Sequence, residues 1–178
     1  MRELSMHILD IAQNSISAGA SVIKIVIDEN LDKDILTIIV EDNGKGMDKE
    51  ELLRVTNPFF TSRTTRRVGL GIPMFKASAE ACDGTFYIDS AKGKGTYVKA
   101  TFKHSHIDRV PLGNMADTMV VLISSNTNID FVYKHKKNDK IYMLDTKEIK
   151  EVLGEVPINS IEVLEWVKNN VIEGLKEL

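Results

Sequence analysis

Between residues 5 and 103 the chain alternates helical and strand periodicity in one order: helix, two strands, helix, loop, helix, two strands. That order limits the fold more than any other feature. Residues 5–18 carry an apolar stripe of Ile8, Leu9, Ile11, Ala12 and Ile16 at helical spacing, stopped by Gly19. Residues 22–29 and 35–41 alternate as strands around a polar turn. Asp48 can cap a short helix to about Val55, residues 57–68 lack a period, and residues 71–82 read as a helix stopped by Asp83-Gly84. Residues 85–90 and 96–103 form a second strand pair around a glycine turn. Each helix and strand has one apolar side, and the economical way to bury both sets is an α+β, two-layer sandwich with helices on one face of a mixed sheet.

Beyond Lys103 the character changes. Residues 104–117 read as a polar connector, 118–124 as a strand, 130–135 and 140–144 as a hairpin, 147–153 as a short helix and 160–178 as a terminal helix. In the last, Ile161, Leu164, Val167, Val171, Leu175 and Leu178 recur at three and four residues. The expected organisation is a domain of residues 1–103 with a C-terminal β/α extension, 104–178, packed on it. Net charge is −3, which gives no reason to expect nucleic acid. A single cysteine, Cys82, excludes an internal disulfide and fits a reducing cytoplasm. No signal-peptide pattern or apolar run of about 20 residues points to export or a membrane.

Four short segments carry chemistry. Asp10 and Asn14 lie four apart on the first helix, so their oxygens share a face and suit Mg²⁺, which takes one or two protein ligands. His7 lies near the same face. Asp42 ends an apolar strand in Asp42-Asn43-Gly44-Lys45-Gly46-Met47, where a carboxylate can accept the exocyclic amine of adenine while Gly44 and Gly46 admit a ring. Val68-Gly69-Leu70-Gly71-Ile72 opens a helix, where free N–H groups and the dipole favour phosphate, and Arg63, Arg66 and Arg67 flank it. Gly93-Lys94-Gly95-Thr96 is a tight turn followed by a hydroxyl. No Walker A loop or dinucleotide fingerprint occurs. Each segment alone also reads as a plain helix face, turn or solvated loop. Their order points to ATP with Mg²⁺.

Taken together, residues 5–103 resemble the ATP-binding domain of the GHKL superfamily of gyrase-type topoisomerases, heat-shock chaperones, sensor histidine kinases and mismatch-repair ATPases. Asn57-Pro58-Phe59-Phe60-Thr61-Ser62-Arg63 with Gly69-Leu70-Gly71-Ile72, and Asp83-Gly84-Thr85 with Gly93-Lys94-Gly95-Thr96, look like histidine kinases. Asn14-Ser15 and Ala18-Gly19-Ala20 look closer to the mismatch-repair type. The resemblance implies a Bergerat-type fold with Asn14 as Mg²⁺ ligand and Asp42 on the adenine amine, supported by Thr96. It also implies Gly44, Gly46 and Met47 at the adenine pocket, phosphate contacts from Val68, Gly69, Leu70 and Gly71, and a lid over residues 59–67 that includes Phe60, Thr61, Ser62, Arg63 and Arg67.

Two departures stand out. Hydrolytic members place Glu four residues before that Asn, and here Asp10 stands there. One methylene less moves the carboxylate by over ~1 Å, which can cost about 10²-fold in rate. Arg67 replaces the glycine that opens the glycine box.

The chain starts a few residues before the first helix, so no phosphoacceptor domain is expected. The expected activity is that of a stand-alone kinase, of histidine-kinase or anti-sigma-factor-kinase type, phosphorylating a protein partner in trans. The alternatives are a non-catalytic ATP-dependent docking protein and a dimerising ATPase clamp; a homodimer stays open. Outside the four segments, His104 and His106 could share a strand-end face and bind metal but read better as exposed histidines. Lys134, His135, Lys136 and Lys137 read as a solvated hairpin tip, and Cys82 and Trp166 as core.

Overall fold

The computed structural model describes residues 2–57 and 70–178. Its elements run α1 (Leu4–Ser17), β1 (Val22–Asn30), β2 (Ile35–Asp42), α2 (Lys49–Thr56), α3 (Gly71–Ala81), β3 (Phe86–Ala91) and β4 (Gly95–Lys103). They continue with α4 (Met115–Ser125), β5 (Asp130–Lys137), β6 (Lys140–Asp145), α5 (Thr146–Leu153) and α6 (Ile161–Lys176). The strands form one sheet in the order β3-β4-β2-β1-β5-β6. β1 and β5 run parallel, and the other pairs are antiparallel. This is the mixed α+β architecture that the alternation of periods predicts.

Period-two alternation decides which side of the sheet is dry. Ile23, Ile25 and Ile27 of β1, Leu36, Ile38 and Val40 of β2, Val98, Ala100 and Phe102 of β4, and Phe131 and Tyr133 of β5 are buried. The intervening Lys24, Glu41, Lys103 and Tyr87 are exposed. α1 supplies Leu4, Ile8, Ile11 and Ala12 to the same core, and α3 supplies Ile72, Phe75 and Ala79. Phe75 ties them together: it stacks on His7 of α1 with ring centroids 5.4 Å apart and meets Phe86 and Phe102 of the sheet. His7 therefore packs towards α3, where burial pushes its imidazole below the usual histidine range.

The extension is built into the sheet. β5 lies against β1, and the connector straps across the start of α1, where Leu4 N–H donates to the Pro111 carbonyl and Ser5 N–H to that of Leu112. Residues 118–124 are helical, not extended as their β-branched run predicts. Asn114 caps α4 by accepting the Asp117 N–H, and Met115, Met119, Leu122 and Ile123 are buried on the face that meets α1 and α6. Capping and a three-to-four-residue apolar spacing outweigh weak strand propensity here. α6 is helical as expected, with Val167 and Val171 buried and Leu164 and Leu175 packed on the core, but Ile161 is exposed and Val163 is buried in its place. Trp166 is 54% exposed and not core. Among the described residues no helix is long and apolar enough to cross a membrane.

His135 also departs from expectation. It is 3% exposed, because odd-numbered β5 residues face inward. Its Nε2 donates to Glu29 Oε2 at 2.8 Å, leaving Nδ1 to accept the Tyr133 hydroxyl at 2.7 Å. His104 Nε2 reaches the other Glu29 oxygen at 3.0 Å. The His135 hydrogen bond, with His104 adding to it, holds Glu29 down at about 2 against the desolvation that opposes it. The carboxylate ties β1 to the extension and to the end of β4. A depressed carboxylate stabilises the fold above its unfolded value of 4.5, and that contribution disappears as pH falls towards about 2. Glu29→Gln is expected to lower stability at neutral pH by about 2 kcal/mol, the worth of a hydrogen bond to a charged group. It should also flatten the acid limb between pH 4.5 and 2. Urea unfolding at pH 7 and pH 3 checks this; parallel losses at both values would refute it.

Candidate functional site

A cavity of about 170 Å³ opens between α1, the end of β2 and β4. Its walls are mostly apolar, from Ile11, Val40, Met47, Val55, Ile72 and Val98. Its polar lining includes Asn14, Ser15, Asp42 and Thr96. Two candidate ligands that lie 28 positions apart in sequence, Asn14 and Asp42, thus share one space.

Asp42 is the best-defined group. It is 9% exposed, at the last position of β2. Its Oδ1 accepts the Gly44 N–H at 2.8 Å and its Oδ2 accepts the Ser15 hydroxyl at 2.6 Å. A carboxylate offers about four lone-pair sites, so capacity remains for a ligand donor. Ser15 is a participant that its neighbour Asn14 overshadows in sequence; only the seating of α1 on β2 brings its hydroxyl to Asp42.

The loop after β2 is pinned on both sides. Lys45 N–H donates to the Ala18 carbonyl at the end of α1, and Gly93 N–H donates to the Lys45 carbonyl from the β3–β4 turn. Asn43 accepts the N–H groups of Ser21 and Val22. Gly46 has φ +68°, and a Cβ there would run into the Ala91 carbonyl. Gly44 does not line the cavity; it passes too close to Ala18 for a side chain and serves by holding Asp42. Gly46 and Met47 do line it. Thr96 sits opposite Asp42 in the β2–β4 register, but its hydroxyl bonds Ser90 Oγ at 2.9 Å. Ser90 in turn donates to the Gly95 carbonyl and accepts the Met47 N–H. Ser90 is a second participant that carries no motif, although the turn 91–95 sets it opposite Thr96.

The start of α3 faces the first helix. A Cβ on Gly71 would lie 3.4 Å from Asp10 Cβ and 3.9 Å from Asn14 Nδ2. Leu70 precedes Gly71 and gives no side-chain cap, so the dipole's positive end has no carboxylate or hydroxyl of its own cap residue. Burial pushes the Asp10 carboxyl above the ordinary aspartate value. Phe60, Thr61, Ser62, Arg63, Arg67, Val68 and Gly69 lie outside the described residues. His104 and His106 do not form a pair: the first turns to Glu29 and the second to Asp83 at 3.5 Å. Among the described residues no group of three or more His, Cys, Asp or Glu is placed to hold a metal ion.

The chain is similar to known proteins. The non-motile and phage-resistance protein of Caulobacter vibrioides is 29% identical over 117 residues, 61% of this chain and 14% of that protein. Sporulation kinase E of Bacillus subtilis is 35% identical over 71 residues, 40% of this chain and 10% of that protein. The chain therefore spans a small part of the length of these relatives. The ADP-bound MutL ATPase domain of Aquifex aeolicus superposes with a TM-score of 0.52 at 13% identity, covering 86% of this chain and 69% of that one. At that identity the likeness is one of fold, and its coverage takes in much of the extension as well. Residues 2–106 match the family model described as histidine kinase-, DNA gyrase B- and HSP90-like ATPase. With this match over more than half its length, the chain belongs to the histidine kinase-, DNA gyrase B- and HSP90-like ATPase family.

Proposed function

We propose that the cavity binds ATP with Mg²⁺ and that the protein transfers the γ-phosphate to a protein partner in trans. The observation that carries the reading is Asp42: a nearly buried carboxylate in a mostly apolar cavity, oriented from both sides and with lone pairs to spare. The exocyclic amine of adenine is the donor that matches it, and the apolar side chains of Ile11, Val40 and Val98 line the cavity that a flat base would enter. A volume of about 170 Å³ is below the ~300 Å³ of pockets for whole drug-sized ligands, so it suits the base and leaves sugar and phosphates to run towards Gly71.

The residues at hand fit the metal. Asn14 offers a side-chain oxygen at the cavity edge, and Asp10 offers a carboxylate beside Gly71. Mg²⁺, when bound, neutralises charge on the phosphates. The start of α3 supplies N–H groups and a positive dipole end to the same anion. In this reading residues 1–103 form the nucleotide-binding part, and 104–178 an extension that recognises the partner.

A non-catalytic role, in which ATP selects a docking state, is the second reading, and Asp10 favours it. Its carboxyl is one methylene shorter than the family's glutamate, which shortens its reach to a water that a general base must meet at about 2.6–3.2 Å. Labelled ATP separates the two. Transfer to a partner supports the kinase, and nucleotide-dependent association without transfer supports the docking role. In either case Asn14→Ala is expected to weaken Mg²⁺-dependent ATP binding about tenfold or more. It should leave metal-free binding of the base unchanged, as checked by titration with and without EDTA. Equal losses in both conditions would remove Asn14 from the metal.

A further inference from the structure

α5 and α6 leave an apolar groove of about 460 Å³ on the extension. Ile149 and Leu153 of α5 and Val163 of α6 form its floor. Val152, 88% exposed, and Trp166 stand beside them. Glu148 and Glu162 complete the lining, one from each helix. Glu151, Glu155 and Glu165 add exposed negative charge on the same helices and the turn between them. Of the cations on α5, Lys150 is engaged by Asp130 and the Ile129 carbonyl, and the exposed Lys147 beside Glu148 leaves the five glutamates in excess. The result is an apolar, tryptophan-bearing slot with an acidic rim, unlike the polar face that a solvated helix presents.

We infer that this groove receives an amphipathic, basic helix of a partner protein. An apolar slot between two helices is the kind of groove that the i, i+3 and i+4 apolar side chains of an inserted helix fill, and Trp166 is an anchor residue of the type that dominates such interfaces. The rim chooses the charge. Lysines or arginines flanking the partner's apolar stripe meet Glu148 and Glu162. A second copy of this chain is the poorer occupant, because two-fold pairing would set acidic rim against acidic rim. An anionic lipid surface is repelled for the same reason. The inference goes beyond the nucleotide reading, and its test contains no nucleotide, so the two stand or fall separately.

Trp166 is the chain's single tryptophan, so its emission reports groove occupancy directly. The probe is a synthetic peptide of about 18 residues with leucines at three- and four-residue spacing and lysines elsewhere, long enough for a stable helix once bound. It is compared with a scrambled peptide of the same composition and with a leucine/glutamate counterpart. The expected result is a saturable blue shift with the lysine peptide at a Kd on the order of 10 μM. The scrambled peptide should give none. The double charge reversal Glu148→Lys with Glu162→Lys should weaken the lysine peptide at least tenfold and admit the glutamate one. Both positions are exposed, and an unchanged Tm shows that the variant is folded. Equal binding of the scrambled peptide, indifference to the charge reversal, or no shift at all would overturn the inference. So would self-association in sedimentation that Val152→Asp abolishes, which would make a second copy the occupant.

Discussion

Asp42→Asn is expected to lower ATP affinity about 100-fold while leaving the protein folded. The reason is the way Asp42 is already committed. Gly44 N–H requires an acceptor at Oδ1, so the Asn amide must present its oxygen there. Its NH₂ then replaces Oδ2, next to Ser15 and the cavity. Ser15 can rotate its hydroxyl to accept, so the local bonding survives. The ligand's amine cannot adapt in that way and now meets a donor. A buried polar mismatch of this kind costs about 1–3 kcal/mol, and sites built around a hydrogen bond discriminate still more strongly. The same inversion should narrow the preference for ATP over GTP, since guanine carries an acceptor where adenine carries the amine. Calorimetric titration with ATP, ADP and GTP measures both effects. An ATP affinity within threefold of the parent would remove Asp42 from the base.

Gly95→Ala is expected to cost about 3 kcal/mol of stability and to impair nucleotide binding with it. Gly95 sits at φ +81°, and a Cβ would drive into the Asp42 carbonyl and the Asn43 Cα. Those atoms belong to the end of β2 and cannot retreat without moving Asp42. The left-handed conformation alone costs a non-glycine residue about 1–2 kcal/mol, and overpacking against backbone adds about 1–3 kcal/mol. For a chain of this size that is a fall in Tm of roughly 6–12 °C. Gly93→Ala is the matched control. Its φ is +77°, but a Cβ there meets nothing within 4 Å, so only the conformational part applies. Thermal and urea melts of the two variants separate backbone strain from steric conflict. Equal losses would show that β4 can shift away from β2 at no cost.

Much of the site was readable because its signals are local. A glycine turn between two alternating runs is a hairpin wherever it folds, so Ser90, Gly95 and Thr96 fall into place once residues 91–95 are recognised as its turn. Asp48 three residues before Glu51 is a helix cap by geometry, and its carboxylate does accept that N–H at 2.8 Å. Asp10 and Asn14 share a face for the same reason. Where pattern and structure differ, the packing of neighbouring elements decides the outcome. Thr118 to Ser124 carry strand-like side chains, but a cap at Asn114 and two helical neighbours draw them into α4. His135 looked solvated among lysines, yet Glu29, 106 positions earlier, holds it in the core. Trp166 has the size of a core residue but lies on the side of α6 that meets α5 across the groove.

The order of periods by itself determined that helices would cover one face of a mixed sheet, and that a carboxylate, an amide and two glycine turns would stand at element ends. Those features are written in runs of fewer than twenty residues, where backbone geometry dominates. Only the tertiary structure decided that Ser15 would hold Asp42, that β5 would run parallel to β1, and that α5 and α6 would leave an acidic groove open. Each of these depends on which of several comparably apolar surfaces meet. That choice is made by the packing of the whole core, in which no single segment carries enough energy to announce its partner.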